Sequence, residues 1–234
     1  KNREQRAAQI RSALFALRDS AAIPFGTALK FANQASAKTG VRPAFLLAIL
    51  QQESNLGANV GTCNRPGDPA EKTWQRIMHG PAAKQLYLAS GRTCKLAKTA
   101  CSSRDDQTPF GTILNSLGRS PDGTPLSCPI LSAGPWGGAM GPAQFIPSTW
   151  MLFVERLKSA LGVSAPDPWR AEDAFMASAM YLSDLGGING SFSGEVAAAC
   201  RYYGSGGSSC SYGTQVITRA TNIQVNMINI LQNS

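Results

Sequence analysis

Apolar positions along this chain recur at helical intervals, and one segment is apolar almost all round. Residues 3 to 18 place Ile10, Leu14 and Leu17 among Arg and Gln, the pattern of an amphipathic helix. Pro24 opens a second helix with Phe25, Leu29 and Phe31 on its apolar side, ending near Gly40. Pro43 suits the first turn of a third helix, where a missing backbone N–H is not needed. This helix runs through Phe45, Leu46, Leu47, Ile49 and Leu50 to Glu53, with Gly57 as its natural stop. A helix apolar on nearly every side is expected at the centre of its domain.

From about 58 to 135 the texture changes. Short helical stretches near 69–79, 81–90 and 108–117 alternate with loops that hold four of the six cysteines. This reads as a long insertion in a compact helical domain, serving as a cleft wall or as a surface excursion, since long loops serve either purpose. The block GPWGGAMGPAQFIPSTW, residues 134–150, is dense in Gly and Pro. Within it Pro147 can start a helix carrying Trp150, Phe153, Val154 and Leu157.

Residues 166–187 predict a further helix, with Ala174, Phe175, Ala177, Met180, Tyr181 and Leu185 on its packed face. A short helix over 195–203 runs into RYYGSGG, and the last helix, 212–232, repeats Val216, Ala220, Ile223, Met227 and Ile230. No sustained period-two run occurs. The expected fold is mostly α: an N-terminal amphipathic helix over 1–22, then one helical domain over 23–234 interrupted by the insertion.

Composition narrows the setting. With 234 residues and a hydrophobic fraction of 43%, the chain can bury a core and is not a disordered one. The stretch AFLLAIL is too short to span a bilayer. The chain begins at Lys1 rather than Met, which reads as a trimmed product whose targeting segment lies upstream. A net charge of +8 suits an anionic partner: nucleic acid, anionic lipid or the carboxylate-bearing bacterial wall. Lys and Arg are scattered and form no basic helix, which argues against nucleic acid.

Cys63, Cys94, Cys101, Cys128, Cys200 and Cys210 form no C-x-x-C pair, and His79 is the only histidine, so a zinc site is not expected. Their even number in loops rich in Gly, Ser and Pro favours disulfides and an oxidising compartment. The sequence leaves the connectivity open. Proximity favours Cys94 with Cys101, Cys200 with Cys210, and Cys63 with Cys128; buried free thiols are the alternative.

The chemistry narrows by elimination to carboxylates. A histidine-based triad would need His79, which has no serine elbow near it. No phosphate-binding or dinucleotide fingerprint and no calcium-loop pattern is present, so no cofactor is expected. Glu53 stands out physically. Apolar surroundings and the negative end of a helix dipole both disfavour its anion, so its pKa should rise. A carboxyl that stays protonated near neutral pH can donate to a leaving-group oxygen, as in glycosidic cleavage. A solvated or Arg-paired Glu, for instance with Arg201, is the ordinary alternative.

ESNLG at a helix end, then GAMGPAQF, then RYYGSGG, in that order, resembles the lytic transglycosylases. These lysozyme-like enzymes of the soluble lytic transglycosylase (SLT) superfamily cleave the glycan strands of peptidoglycan. GGAMGPAQFIPST looks most like the membrane-bound lytic transglycosylase B type, whose pattern reads approximately GAMG-x-x-QF-x-PS. The resemblance covers roughly residues 41–57 and 134–220 and implies a lysozyme-like catalytic domain over 23–234. By position, Glu53 matches the single catalytic acid/base, and Ser54 the serine that helps orient the substrate's N-acetyl group. Gln144 matches the motif Gln that lines the cleft, with Phe145 beside it. Gly138 and Gly141 suit a backbone close to a sugar ring, or else an ordinary turn. Tyr202 matches the tyrosine whose hydroxyl would face the acid.

Tyr203 stands where the family has Asn, so either the substrate contact differs there or the alignment is off by one. Tyr181 and Tyr212 are weaker cleft candidates, core packing being the simpler use of each. No second acid falls in a motif; Asp167, Glu172 and Asp173 lie outside the matched positions.

The resemblance implies cleavage of the MurNAc–GlcNAc β-1,4 bond with closure of a 1,6-anhydro ring. Its implied setting is extracytoplasmic: a monomer acting on peptidoglycan, with no nucleic-acid partner. Any envelope association would run through segments absent from this chain. The alternatives are a hydrolytic goose-type-like lysozyme and a non-catalytic wall-binding module of the same fold.

Overall fold

The structure, a computed structural model, describes residues 23–80, 104–130 and 136–232. The predicted N-terminal helix, the stretch at 81–90 and the Cys94–Cys101 pairing lie outside these residues. The described chain is helical, and its only strand-like features are two isolated bridges, Cys63 with Leu126 and Met140 with Phe145. Among the described residues no helix is long and apolar enough to cross a membrane. The chain divides into two compact units, one of residues 1–58 with 174–234 and the other of residues 59–173.

The first unit is built on two helices, α1 (Phe25–Thr39) and α2 (Pro43–Ser54), and on those that follow residue 170: α7 (Ala171–Asp184), α8 (Phe192–Tyr202) and α9 (Ser211–Ile223). α1 buries Ala28, Ala32 and Ala35 at helical spacing, which lets it lie close to α2. Gly40 ends it in the left-handed region, as the sequence predicts. In α2, Ala44 to Leu50 are without exposed surface, and the helix packs on both α1 and α9, so it is the central helix. Its entry is fixed by Arg42, which grips the buried Glu195 of α8 through two hydrogen bonds of 3.0 and 2.7 Å.

The end of α2 differs from expectation. The stop is Asn55 rather than Gly57: Asn55, Leu56 and Gly57 have φ of 51°, 54° and 86°, three left-handed residues in a row. Asn adopts this region more readily than other non-glycine residues, so the helix turns away two positions earlier. The last helix also starts and ends much as its stripe predicts, but it contains a π-helical segment, Gln224–Ile228, before a final turn, α10 (Asn229–Gln232). The predicted helix over 166–187 is shorter, since residues before Ala171 form a turn with Arg170 N–H bonded to Asp167 O.

The second unit has short helices, α3 (Trp74–Ile77), α4 (Gln107–Ser116), α5 (Pro147–Trp150) and α6 (Val154–Leu161), and long connections that need side chains to hold them. The Cys63–Cys128 disulfide closes it, next to paired backbone bonds between Cys63 and Leu126. Buried Asn64 donates to Pro121 O and Thr124 O and accepts from Trp74 N–H, which ties three loops to one amide. Buried Asp106 accepts from Arg104 and from Ser148 N–H at the start of α5. Arg119 and Asp167 form a two-pronged pair. Backbone groups in loops must find partners somewhere, and here polar side chains supply them.

Candidate active site

Glu53 sits in the last turn of α2, at the point where the chain leaves the apolar core. It is partly buried, and that burial raises its pKa from 4.5 to about 6. The Tyr212 hydroxyl, in the first turn of α9, donates a hydrogen bond to Glu53 Oε1 and offsets part of the rise, because it favours the anion. No Lys or Arg pairs with Glu53 among the described residues. Arg201 donates to Leu185 O at 3.0 Å, and Arg219 to the neighbouring Gln52 at 2.8 Å. The carboxyl therefore meets a phenol and apolar atoms rather than a cation, the setting that keeps an acid protonated at higher pH.

Four tyrosines of the same unit pair their rings, one pair through Tyr212, which holds the acid, and one through Tyr202, which feels its charge. Tyr203 stacks on Tyr212, with centroids 4.7 Å apart and planes 15° apart. Tyr181 meets Tyr202 at 5.2 Å, and Ser178 Oγ donates to the Tyr202 hydroxyl at 3.2 Å. Burial raises the Tyr202 and Tyr212 phenols well above their ordinary value, and the Glu53 charge raises both further. Both phenols thus stay protonated throughout the working pH range.

The local sequence explains this arrangement. Cys200, in the last full turn of α8, is bonded to Cys210, the N-cap of α9, with their Cα atoms 5.8 Å apart. The glycine-rich segment between them would otherwise leave α9 free to shift. At Gly213 a Cβ would lie 2.7 Å from Cys200 Sγ and 2.8 Å from Val196 O, so only glycine lets α9 come this close to α8. Tyr212 is thereby seated beside the end of α2.

Tyr212 is the residue that sequence reasoning undervalued. A signal for it exists: 212 lies four positions before Val216, so it begins the same buried stripe, with Ala220 and Ile223, that packs α9 on α2. Extending the stripe one turn backward puts residue 212 level with the C-terminal end of α2. Ser54 is buried, and its hydroxyl donates to Leu50 O at 3.3 Å and accepts from Gly57 N–H at 2.8 Å, so it also braces the left-handed turn.

The motif residues Gly141, Gln144 and Phe145 belong to the second unit, whereas the acid and the four tyrosines belong to the first. Residues 141–144 form a tight turn, closed by Gln144 N–H and Gln144 Nε2 both bonding to Gly141 O. Gly141 has a φ of 61°, and a Cβ there would lie 1.9 Å from Pro168 O. The glycine is thus required by close backbone packing within its own unit. Phe145 is buried edge-on against Trp150 and Phe153. Gln144 is partly exposed in a left-handed conformation, with a φ of 54°.

His79, buried against Trp136 and held low at about 4 by burial and by the Arg104 charge, is neutral in the working range. Among the described residues no three His, Cys, Asp or Glu side chains stand together as a metal site. Cys63–Cys128 and Cys200–Cys210 are disulfides.

No family model matches the sequence, and no curated protein matches it either. Solved structures do. The chain superimposes on the Escherichia coli lytic transglycosylase Slt35 in complex with calcium with a TM-score of 0.56 at 15% identity, over 92% of this chain and 80% of that one. The same enzyme with bulgecin A gives 0.55 at 15% identity, over 92% and 79%. A 36 kDa muramidase/transglycosylase gives 0.55 at 15% identity, over 92% and 80%. The chain has the lytic transglycosylase fold.

Proposed function

We propose that this chain is a peptidoglycan-cleaving enzyme, a lytic transglycosylase with Glu53 as its one acid/base. The observation that carries the reading is Glu53 itself: a carboxyl raised to about 6, paired with no cation among the described residues and held by a phenol at the C-terminal end of the central helix. The fold shared with enzymes named as transglycosylases supports the substrate class.

In this reading the Glu53 carboxylic acid donates its proton to the glycosidic oxygen between N-acetylmuramic acid and N-acetylglucosamine, and the C–O bond to the muramyl anomeric carbon breaks. Glu53, now a carboxylate, takes the proton of the muramyl 6-hydroxyl as its oxygen bonds to that carbon and closes the 1,6-anhydro ring. Atoms balance without water, and Glu53 ends protonated as it began. A raised pKa suits both halves, because the group must be an acid first and a base second.

Enzymes that hydrolyse glycosides commonly flank the bond with two carboxylates. Among the described residues of the first unit the other acids are Glu195, committed to Arg42, and Asp184, at the far end of α7. Charge that develops at the anomeric carbon is then met by the substrate's own 2-acetamido group rather than by a second side chain. In this reading the substrate is a cell-wall polymer outside the cytoplasm, and the Cys63–Cys128 and Cys200–Cys210 disulfides suit such an oxidising compartment.

The test is mass spectrometry of purified peptidoglycan digested by the protein and by the Glu53→Gln variant. Anhydromuramyl ends with the parent and none with the variant are expected. Reducing muramyl ends would mean hydrolysis, and no released fragments would leave only a wall-binding role.

A further inference from the structure

Tyr203 is unlike the other tyrosines near Glu53, because 62% of its surface is exposed. One ring face is taken by Tyr212, at 4.7 Å and nearly parallel, so the exposed surface belongs to its other face and edge. Tyr212 in turn holds Glu53. An open aromatic face therefore lies one ring away from the acid's hydrogen-bond donor, in the position where the resembled motif carries an amide side chain.

Leaving a large ring in water forgoes the burial that usually stabilises such a residue. The position is nonetheless well defined. Tyr203 N–H bonds to Ala199 O at 3.1 Å, Gly204 N–H to Arg201 O at 3.0 Å and Ser205 N–H to Cys200 O at 3.0 Å. The Cys200–Cys210 disulfide closes the same segment. A ring fixed by backbone bonds, a cross-link and a stacking partner is pre-organised, and its free face is ready to receive a flat apolar surface at low entropic cost. A β-linked pyranose ring has such a surface, on the face where the axial C–H groups of C1, C3 and C5 stand together.

We infer that Tyr203 is a glycan-stacking residue, whose open face takes the apolar side of an N-acetylated amino-sugar ring next to the bond that Glu53 cleaves. The inference rests on the proposed function and deepens it: ring contact does here what an amide would do by hydrogen bonding. The contact is to the ring and not to the hydroxyl, which separates it from a polar role for the same residue.

The experiment titrates a β-1,4-linked N-acetylglucosamine tetramer into the Glu53→Gln protein, then into the same protein carrying Tyr203→Ala, Tyr203→Asn, Tyr203→Phe or Tyr203→Trp. Steady-state cleavage of solubilised peptidoglycan is measured with Glu53 intact, and thermal unfolding checks that every variant is folded. Tyr203→Ala and Tyr203→Asn should weaken binding about tenfold and raise KM, whereas Tyr203→Phe and Tyr203→Trp stay within about threefold of the parent.

Parent-like binding by folded Tyr203→Ala would overturn the inference, as would loss in Tyr203→Phe equal to that in Tyr203→Ala. A Tyr203→Ala variant that keeps KM but shifts the pH profile would also overturn it, because the ring would then act only through Tyr212. In each of these cases a parent that still cleaves peptidoglycan keeps the functional reading intact. A parent that neither binds glycan nor cleaves overturns both.

Discussion

The hydroxyl of Tyr212 donates to Oε1 of Glu53 across 159 positions of sequence, linking the first turn of α9 to the last turn of α2. Burial and this hydrogen bond pull the carboxyl in opposite directions, and burial wins. The acid is left at about 6 rather than higher, close enough to neutrality to give and to retrieve a proton.

Removing the hydroxyl alone should move this balance. In Tyr212→Phe the anion loses its donor, so the Glu53 pKa should rise and the alkaline limb of the activity–pH profile should move upward. Turnover at its own optimum should fall by about tenfold, since the acid is less well oriented. A limb that moves down, or stays where the parent has it, would show that the hydrogen bond does not tune the acid.

Replacing the acid tests chemistry and stability together. Glu53→Gln should lower turnover by about 10³-fold or more, read as soluble fragments released from peptidoglycan. Because the folded pKa is raised from 4.5 to about 6, the fold favours the protonated form. Its stabilising contribution is complete below pH 4.5 and is lost as pH rises through about 6. Relative to the variant, the parent should therefore lose about 1–2 kcal/mol between acid and neutral pH, measured by denaturant unfolding. A difference independent of pH would contradict this.

The Cys200–Cys210 bond should support both the fold and the site. Changing both cysteines to Ser opens a short loop and should lower stability by about 2–3 kcal/mol. Activity should fall at temperatures where the protein is still folded, because Tyr212 and Tyr203 both lie in or next to the segment it closes. Full activity with lowered thermal stability would confine the bond to a purely structural role.

Gly141 gives a prediction within the second unit. A methyl group there meets Pro168 O at 1.9 Å and sits at a φ of 61°, so backbone has to move. Gly141→Ala should cost about 2–4 kcal/mol, seen as a lower unfolding midpoint. A variant as stable as the parent would mean that the turn relaxes freely.

Much of the fold was legible because its cues are local. Pro24 and Gly40 bracket α1, and Pro43 starts α2, since proline and glycine act through their own φ. The uninterrupted apolar run of α2 required a central position, and α2 occupies it. Local cues failed at the end of α2, where Asn55 took the left-handed turn ahead of Gly57, and at 166–170, where Asp167 and Arg170 hold a turn that helical periodicity cannot distinguish from a first helical turn. Cys200 and Cys210 are near neighbours in the sequence whereas Cys63 and Cys128 stand 65 positions apart; both pairings are the expected ones, but only coordinates could distinguish them from other connectivities.

The sequence by itself determined that Glu53 is an unusual acid: a lone carboxylate after AFLLAIL, at the negative end of a helix, has to carry a raised pKa wherever that helix is buried. The choice of its partner was made by tertiary structure. Tyr202, Tyr203 and Tyr212 are equivalent as residues, and periodicity puts no distance between any of them and residue 53. The disulfide, the bare backbone at Gly213 and the stripe that seats α9 on α2 assigned the hydroxyl to Tyr212 and left the open face to Tyr203. A hydrogen bond across 159 positions depends on how helices pack, and packing is a property of the assembled core rather than of any one stretch of chain.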